Sequence, residues 1–261
     1  RIFDATHRDL RILARAVVHD LHERRRAFAP ILAEIVADAQ VDDYGNVRRA
    51  ASIAYGRRVQ DDDAPLSAQD CYKQRQTHIT YADNHYTNAI DGDDDYRVPL
   101  LCEARNYELV EHAPPTALHT TALRQFDAVW RLITQVDNDA ATLPFGRWQN
   151  VVQQLPAPRR RLLAHSRTLF RRDDLTAALP LGQLQPRALP FESWRLALPQ
   201  QLREQIFDAR VGDSILRQAG YRQDNGGQDW WVVSGRTFLS PDPDADAAQE
   251  LEFARGHLFL S

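Results

Sequence analysis

Apolar and polar residues alternate along much of the chain, and this alternation predicts β-strands. In residues 47–58, VRRAASIAYGRR, the apolar Ala51, Ile53 and Tyr55 stand two apart between small or polar residues. A period of two is typical of a strand with one buried face. Just before it, Asp43-Tyr44-Gly45-Asn46 contains residue types that tolerate a positive φ, so we predict a turn that leads into this strand.

Two further segments with strand composition flank an acidic loop. Residues 78–90, HITYADNHYTNAI, and 97–109, RVPLLCEARNYEL, are rich in residues that fit a pleated surface. Between them lies DGDDD at 91–95, with Gly92 at the centre of the expected turn. The simplest arrangement is an antiparallel pair of strands closed by the acidic loop.

Helical periodicity is clearest in two segments. Near residues 120–135, apolar side chains recur at intervals of three and four after a possible threonine N-cap, Thr120 or Thr121. They are Leu123, Phe126, Trp130 and Ile133. Residues 199–220 form the second segment, with Gly220 as a stop and Gly212 as a point where the helix could divide. In its first turns Leu202 and Ile206 share one face, after Pro199.

The remaining patterned segments are less decisive. Residues 159–172, RRRLLAHSRTLFRR, alternate like a strand, yet their length also suits a helix. In DWWVVSGRTFLSPD, 229–242, Ser234-Gly235 predicts a hairpin turn. Trp230 and Trp231 are adjacent on a strand and therefore point to opposite faces, so we expect at most one of them in the core. Residues 247–261 predict a short helix that runs into an apolar strand.

Taken along its length, the pattern predicts a mainly β protein with inserted helices, an α+β fold. Composition changes this picture little. The chain has 43% hydrophobic residues and a net charge of −4, so no overall field favours nucleic acid. No run approaches the ~20 apolar residues that a membrane-spanning helix needs. Because it contains no methionine, we expect an internal segment of a longer protein. Cys71 and Cys102 could pair, but two isolated buried cysteines are favoured.

The acidic loop is the first candidate for chemistry. Asp91, Asp93 and Asp95 match the first three ligand positions of a calcium-binding EF-hand loop, but Tyr96 replaces its glycine and Cys102 its final glutamate. A solvated turn without metal is therefore favoured. No nucleophile elbow, zinc-protease, phosphate-loop or dinucleotide motif occurs. We expect neither an enzyme nor a cofactor, and the alternative is a carbohydrate-binding or carbohydrate-processing β-module.

That alternative would use Trp230 or Trp231 as a stacking surface and an acidic pair such as Asp93 and Asp95. A glycosidase needs a concave pocket in which two carboxylates lie ~5–10 Å apart.

Five phrases in chain order resemble one known family, the B subunit of bacterial insecticidal toxin complexes (Tc toxins), which belongs to the Rhs, or YD-repeat, proteins. They are VDDYGNVRRAASIAYGRR, HITYADNHYTNAIDGDDDYRVPLLCEARNYEL, RTLFRRDDLTAALPLGQLQPRALPFESWRLAL, DWWVVSGRTFLSPD and AAQELEFARGHLFL. FDATHRDLR, 3–11, is similar to a degenerate YD repeat. The resemblance implies a curved antiparallel β-sheet segment of a hollow shell, assigned to residues 42–261. Residues 1–41 are assigned to a degenerate repeat strand and a helical segment, because Ile31, Leu32, Ile35 and Val36 favour an amphipathic helix over 22–40.

The same resemblance implies a function. In this family the B and C subunits enclose the toxic C-terminal part of the C subunit, and the shell docks on the pore-forming A subunit. We therefore expect a non-enzymatic wall segment of a secreted complex. Its partners would be the C subunit with its cargo polypeptide and, through the rest of the full-length chain, the A subunit. Neither nucleic acid nor direct membrane insertion is implied, and Asp43, Tyr44, Gly45, Asn46, Gly92, Trp230, Trp231 and Gly235 are expected to have structural roles.

Overall fold

The computed structural model describes residues 35–55, 67, 69–70, 73, 76–110, 126–143, 157–207, 210–224 and 227–260. The strands are β1 Ile35–Val41, β2 Val47–Ala54, β3 His78–Tyr86, β4 Ile90–Asp91, β5 Tyr96–Arg97, β6 Leu101–Val110, β7 Thr142–Leu143, β8 Arg159–Phe170, β9 Pro190–Leu198, β10 Tyr221–Gln223 and β11 Trp230–Arg236. The helices are α1 Phe126–Val136, α2 Gln200–Phe207, α3 Asp213–Gln218 and α4 Ala247–Gly256, and Asp139–Ala141 form a 3₁₀ turn.

One large sheet organises the described part of the chain. Its strand order is β1-β2-β3-β6-β8-β9-β11-β10, every neighbouring pair is antiparallel, and short β7 adds to β8 in parallel. The order begins at β1 and ends at β10 without closing on itself, so the sheet is open. The prediction of a mainly antiparallel β fold with a few helices is confirmed.

The prediction of a helix over 22–40 is wrong where it can be checked. Residues 35–41 form β1, which pairs with β2 from Ile35 opposite Ala54 to Gln40 opposite Arg49. Short apolar runs do not distinguish helix from strand, and the free hydrogen-bonding edge of β2 decides the matter for this segment. Residues 22–34 lie outside the described residues, as does the proposed repeat at 3–11.

The predicted turn between β1 and β2 is confirmed. The Asp42 carboxylate accepts hydrogen bonds from the backbone N–H groups of Tyr44 and Asn46 at 3.0 and 2.9 Å, and from the Asn46 side chain at 3.2 Å. Gly45 has a φ of +83°, a conformation that residues with a Cβ atom rarely adopt. The sequence thus specifies this turn locally, through a side-chain acceptor and a glycine.

The strands β3 and β6 pair as predicted, with Ile79 opposite Leu109 and Asp83 opposite Arg105. The acidic loop between them is more ordered than a simple turn, because β4 and β5 form a small two-stranded ribbon of their own. At its tip the N–H of Gly92 donates to the carbonyl of Asp95 at 2.9 Å. The four aspartates of the loop are exposed.

The main core lies where α1 covers one face of the sheet. Predicted for 120–135, the helix is confirmed from Phe126 onward, and its earlier part lies outside the described residues. Its buried face packs on apolar residues of β2, β3 and β6. The cluster comprises Val129, Trp130, Ile133 and Val136 from the helix and Ala51, Ile53, Ile79, Tyr81, Tyr107 and Leu109 from the sheet.

Residues 159–170 form strand β8, which settles the choice that the sequence left open. Its alternation is interrupted by a bulge, since Leu162 faces Tyr107 and Ala164 faces the neighbouring Asn106. The extra residue, Leu163, is exposed. Bulges of this kind bend a strand and increase its twist.

The hairpin predicted at Ser234-Gly235 is wrong. Residues 230–236 form one continuous strand, β11, which pairs with β9 on one side and β10 on the other. A register shift between Val233 and Gly235 makes Ser234 a bulge residue, and Gly235 is not among the residues with positive φ. Pairing with β9, which continues on both sides of Ser234, outweighs the local turn preference.

The two tryptophans of β11 also correct an expectation. Both are buried, Trp230 with 0% and Trp231 with 3% of its surface exposed, although at most one was expected in the core. They do lie on opposite faces, because Trp231 contacts His165 and Arg167 on β8, whereas Trp230 lies under Arg203 of α2 and Arg217 of α3. Additional elements cover the second face.

The segment 199–220 is helical and divides at Gly212, which is the N-cap of α3. Gly220 ends the second helix with a φ of +88°, as expected. The shared face of Leu202 and Ile206 is not buried, since α2 has no buried residue. Amphipathic spacing here gives a helix without a core contact.

The C-terminal prediction is half right. Helix α4 begins with a capping box, in which the Asp246 side chain accepts from the N–H groups of Ala248 and Gln249. The apolar strand expected after it is absent from the described residues up to 260. Leu258 and Phe259 instead have φ values of +57° and +56°, which fold the chain back over the end of the helix.

Candidate functional site

Beside the core under α1, the same face of the sheet has a band of charged and aromatic side chains. Residues directly opposite each other on antiparallel strands share a face. The register places Asp83 opposite Arg105 and Glu103 opposite Arg167, while Arg222 lies opposite Trp231. We call this set the polar band: Arg49, Asp83, Glu103, Arg105, His165, Arg167, Glu192, Arg222 and Trp231.

Glu103 is the centre of the polar band. Its Oε1 lies 2.7 Å from Nε2 of His165 and 2.8 Å from Nε of Arg167, and its Oε2 accepts from Arg105 at 2.9 Å. Only 6% of the residue is exposed. Burial raises the pKa of this carboxyl, but the hydrogen bonds from His165 and Arg167 outweigh it and lower the pKa to about 2. Glu103 is therefore held ionised with three donors around it.

His165 is neutral in this cluster. Burial lowers its pKa below 6.5, and the cations Arg167 and Arg105 lower it further, against the opposing effect of Glu103. Because a neutral imidazole has one N–H, and the Glu103 carboxylate can only accept, the proton lies on Nε2. The ring meets Trp231 edge-on, with centroids 4.7 Å apart.

Trp231 on β11 is covered by side chains of β8, a strand that does not pair with β11. The guanidinium of Arg167 lies 4.4 Å from the centre of its ring, and both Arg167 and His165 belong to β8, with β9 in between. A ring covered in this way offers no free surface for stacking on a sugar. The carbohydrate-binding alternative therefore lacks the exposed tryptophan that it needs at both Trp230 and Trp231.

Two ion pairs fasten the short edge strand β10 to the sheet. Arg222 lies 3.3 Å from the buried carboxylate of Glu192, which also accepts from Nε1 of Trp194 at 3.0 Å. Beyond the end of β10, Asp224 pairs with the same Arg167 that contacts Glu103. Each pair reaches across at least one intervening strand.

A second glutamate of β6 has a similar arrangement on the opposite face. The Glu108 carboxylate is 3.2 Å from Nδ1 of His78 and also forms an ion pair with Arg161. The bond to His78 is the main cause of the lowered pKa of Glu108, and it raises the pKa of His78. Thus β6 has two glutamates, of which Glu103 is held by one histidine and two arginines and Glu108 by one histidine and one arginine.

Further ion pairs anchor the covering elements. Asp137, just after α1, binds Arg49 at 2.6 Å and Arg160 at 2.7 Å. At the other end, buried Arg171 makes a two-pronged ion pair with Glu250 of α4, with both N–O distances at 3.0 Å. Glu250 also accepts from the N–H of Leu239 at 2.9 Å.

The predicted site residues do not converge. Asp43, Tyr44, Gly45 and Asn46 lie in the turn before β2, Gly92 lies at the tip of the acidic ribbon, and Gly235 lies within β11. Of the predicted set, only Trp231 belongs to the polar band. Cys102 is a free, buried cysteine, and Cys71 lies outside the described residues.

The sequence analysis missed Glu103, His165 and Arg167. A signal was present, because Glu103 and Arg105 stand two apart on one strand and His165 and Arg167 two apart on another. The two pairs of charged residues indicate a cluster only when β6 and β8 are known to be neighbouring strands.

The side-chain contacts of Glu103 indicate a structural role. Glu103 is surrounded by three donors, so its carboxylate serves to join strands β6 and β8. Among the described residues, no group of three or more His, Cys, Asp or Glu side chains is placed so that it could hold a metal ion. Within the same ranges, no helix is long and apolar enough to cross a membrane.

No protein-family model matches the chain, and no curated protein matches it either. Among solved structures, the chain is similar to TcdB2-TccC3, with a TM-score of 0.50 and 18% identity. A structure of TcdB2-TccC3 without the hypervariable C-terminal region gives a TM-score of 0.48 and 17% identity over 80% of this chain and 9% of that one.

The alignment to the first structure covers 81% of this chain but only 10% of the other. The chain thus spans about a tenth of the length of the solved protein that it resembles. At this level of identity the likeness concerns the fold alone: most of this chain has the fold of one part of the TcdB2-TccC3 chain.

Proposed function

We propose that the chain is a wall segment of the hollow β-sheet shell of a secreted bacterial toxin complex, a non-enzymatic part that encloses the cytotoxic cargo before translocation. The observation that carries this proposal is the fold likeness to TcdB2-TccC3, a Tc toxin B/C subunit, over 81% of the chain. The five sequence phrases that resemble the B subunit support it independently.

The architecture suits a wall. Within the described ranges, all of the long strands lie in one antiparallel sheet that ends in β1 at one side and β10 at the other. Such end strands present unpaired N–H and C=O groups, which in a larger shell are satisfied by further strands.

The hydrogen bonds within the polar band favour a structural role for these side chains over a catalytic one. In a catalytic acid–base pair, the environments of the two groups shift their pKa values apart, so that one group is protonated and the other ionised. Both groups must also reach the substrate. Here the ionised Glu103 is occupied by Arg105, His165 and Arg167. We propose the C subunit and its cargo as partners, and the A subunit as a partner of the full-length chain.

The proposal is tested on the full-length protein, co-expressed with a C subunit of a toxin complex from the same genome. Electron cryo-microscopy should show a hollow shell in which residues 35–55, 76–110 and 157–198 form adjoining strands of the wall. A compact domain outside any shell, or a complex without an internal chamber, would overturn the proposal.

A protease assay tests enclosure directly. In the wild-type complex the cargo should resist digestion until the shell is denatured. Trp231→Ala removes a fully covered side chain and should make the cargo sensitive at a lower temperature, whereas Glu252→Ala, an exposed position on α4, should not. Cargo that is digested equally fast with and without the wild-type shell would contradict the proposal.

A further inference from the structure

The Glu103 cluster connects parts of the sheet that are not neighbours. Trp231 on β11 reaches over β9 to contact His165 and Arg167 on β8. Asp224, which follows β10, pairs with the same Arg167. The outer ribbon of β10 and β11 is therefore tied to the central strands through side chains that all depend on one buried carboxylate, Glu103.

A proton on His165 would add a positive charge beside two arginines that already share the Glu103 carboxylate. On β6 His165 faces Glu103 and Arg105, on its own strand Arg167, and on β11 the uncharged Trp231. On β3, Asp83 lies opposite Arg105 with its carboxylate bound to Arg49, and His85 lies opposite Glu103 and 3.5 Å from Asp83. Asp224 is half exposed and lies on the far side of Arg167.

We propose that this cluster is an acid-sensitive fastening, which holds the β10–β11 ribbon on the central sheet and weakens when His165 takes up a proton. A charged His165 places a third cation beside Arg105 and Arg167, with Glu103 as the carboxylate that all three contact. Repulsion then acts on Arg167, the residue that covers Trp231 and binds Asp224. The ribbon loses its side-chain ties, while its backbone pairing to β9 remains.

The direction of the pH effect follows from linkage. In the opened state His165 titrates near its ordinary pKa of 6.5, whereas burial lowers its pKa in the closed cluster. Opening therefore takes up a proton, and the stability of the fastening is lost as the pH falls below 6.5. Since one proton is involved, opening can increase by no more than about tenfold per pH unit.

Hydrogen exchange of the full-length protein, followed by mass spectrometry, tests this inference. After correction for intrinsic exchange rates, amides of β10 and β11 should open more readily as the pH is lowered from about 7.5 to about 5. His165→Gln keeps an N–H donor for Glu103 but cannot become charged, so this rise should disappear. His78→Gln is the matched control on the opposite face and should respond like the wild type.

No acid-induced rise in the wild type, or an equal rise in His165→Gln, would overturn the fastening. A rise that vanishes in His78→Gln would do the same. If His165→Gln does not fold, Arg105→Gln answers the question, because removing one nearby cation makes charging of His165 less unfavourable and should reduce the rise. An undiminished rise in that variant contradicts the inference. None of these outcomes depends on the shell, which is tested separately by microscopy and cargo protection.

Discussion

Replacing Glu103 by glutamine should weaken the centre of the sheet by several kcal/mol. The change keeps the shape of the side chain but removes the charge that Arg105, His165 and Arg167 surround. Lowering a carboxyl pKa from 4.5 to about 2 corresponds to about 3 kcal/mol in favour of the ionised form, since a shift of one pKa unit is worth about 1.4 kcal/mol. The partly buried Arg105 and Arg167 also lose the carboxylate that they share, which acts in the same direction, and breaking buried pairs costs about 3–5 kcal/mol.

The loss should itself depend on pH. Because the folded pKa of Glu103 lies below its ordinary value, its contribution is complete above pH 4.5 and is lost as the pH falls from 4.5 to about 2. Wild type and Glu103→Gln should therefore differ most at neutral pH and converge towards pH 2. A steric defect would give a difference that does not change with pH.

The assay is the free energy of local opening of β6, obtained from urea-dependent hydrogen exchange of the full-length protein. Glu252→Gln is the control, because Glu252 is exposed on α4 and its substitution should change this free energy by less than about 0.5 kcal/mol. If Glu103→Gln also stays within that range at pH 7, the cluster does not hold the strands together as argued.

Three other substitutions test separate parts of the fold. Gly45→Val should cost about 1–3 kcal/mol of unfolding free energy, because Gly45 has a positive φ. Gly235→Val should cost much less, because Gly235 has an ordinary backbone conformation and open space around its Cβ position. Equal losses of stability in thermal unfolding would contradict this. Changing Asp93 and Asp95 together to asparagine should leave the melting temperature unchanged, and a calcium-dependent stabilisation lost in this double variant would show that the loop is a metal site. Arg171→Leu leaves a buried carboxylate without its partner and should release α4 at a cost of about 3–5 kcal/mol, measured by proteolysis of the helix; unchanged resistance would refute the buried pair as its anchor.

The parts of the fold that could be predicted from the sequence are those with local causes. The turn at Gly45 has its acceptor, Asp42, and its glycine within four residues. The strands β3 and β6 follow each other in the sheet with only the acidic ribbon between them, so their composition and the acidic loop were enough to pair them. Helix α1 has one apolar stripe, and that stripe is buried on the sheet.

The remainder depended on neighbours that are distant in the sequence. Strand β1 exists because β2 offers it a free edge, and β11 continues through Ser234-Gly235 because β9 pairs with it on both sides of this dipeptide, at Val233 and at Gly235 and Arg236. The polar band was missed for the same reason, since Glu103 and His165 are brought together only by the register of β6 and β8. A local preference decides a structure only where no stronger partner competes for the same backbone.

The ties that skip a strand also change how the sheet should respond to force. A ribbon pulled away from the edge of an open sheet can peel off, with its backbone hydrogen bonds breaking one after another. Trp231 and Asp224 instead reach past β9 to Arg167, so a pull on the ribbon is transmitted directly to β8. Peeling must then displace several strands together, and the outer ribbon should detach as a block at a higher force than its short edge strand would withstand alone.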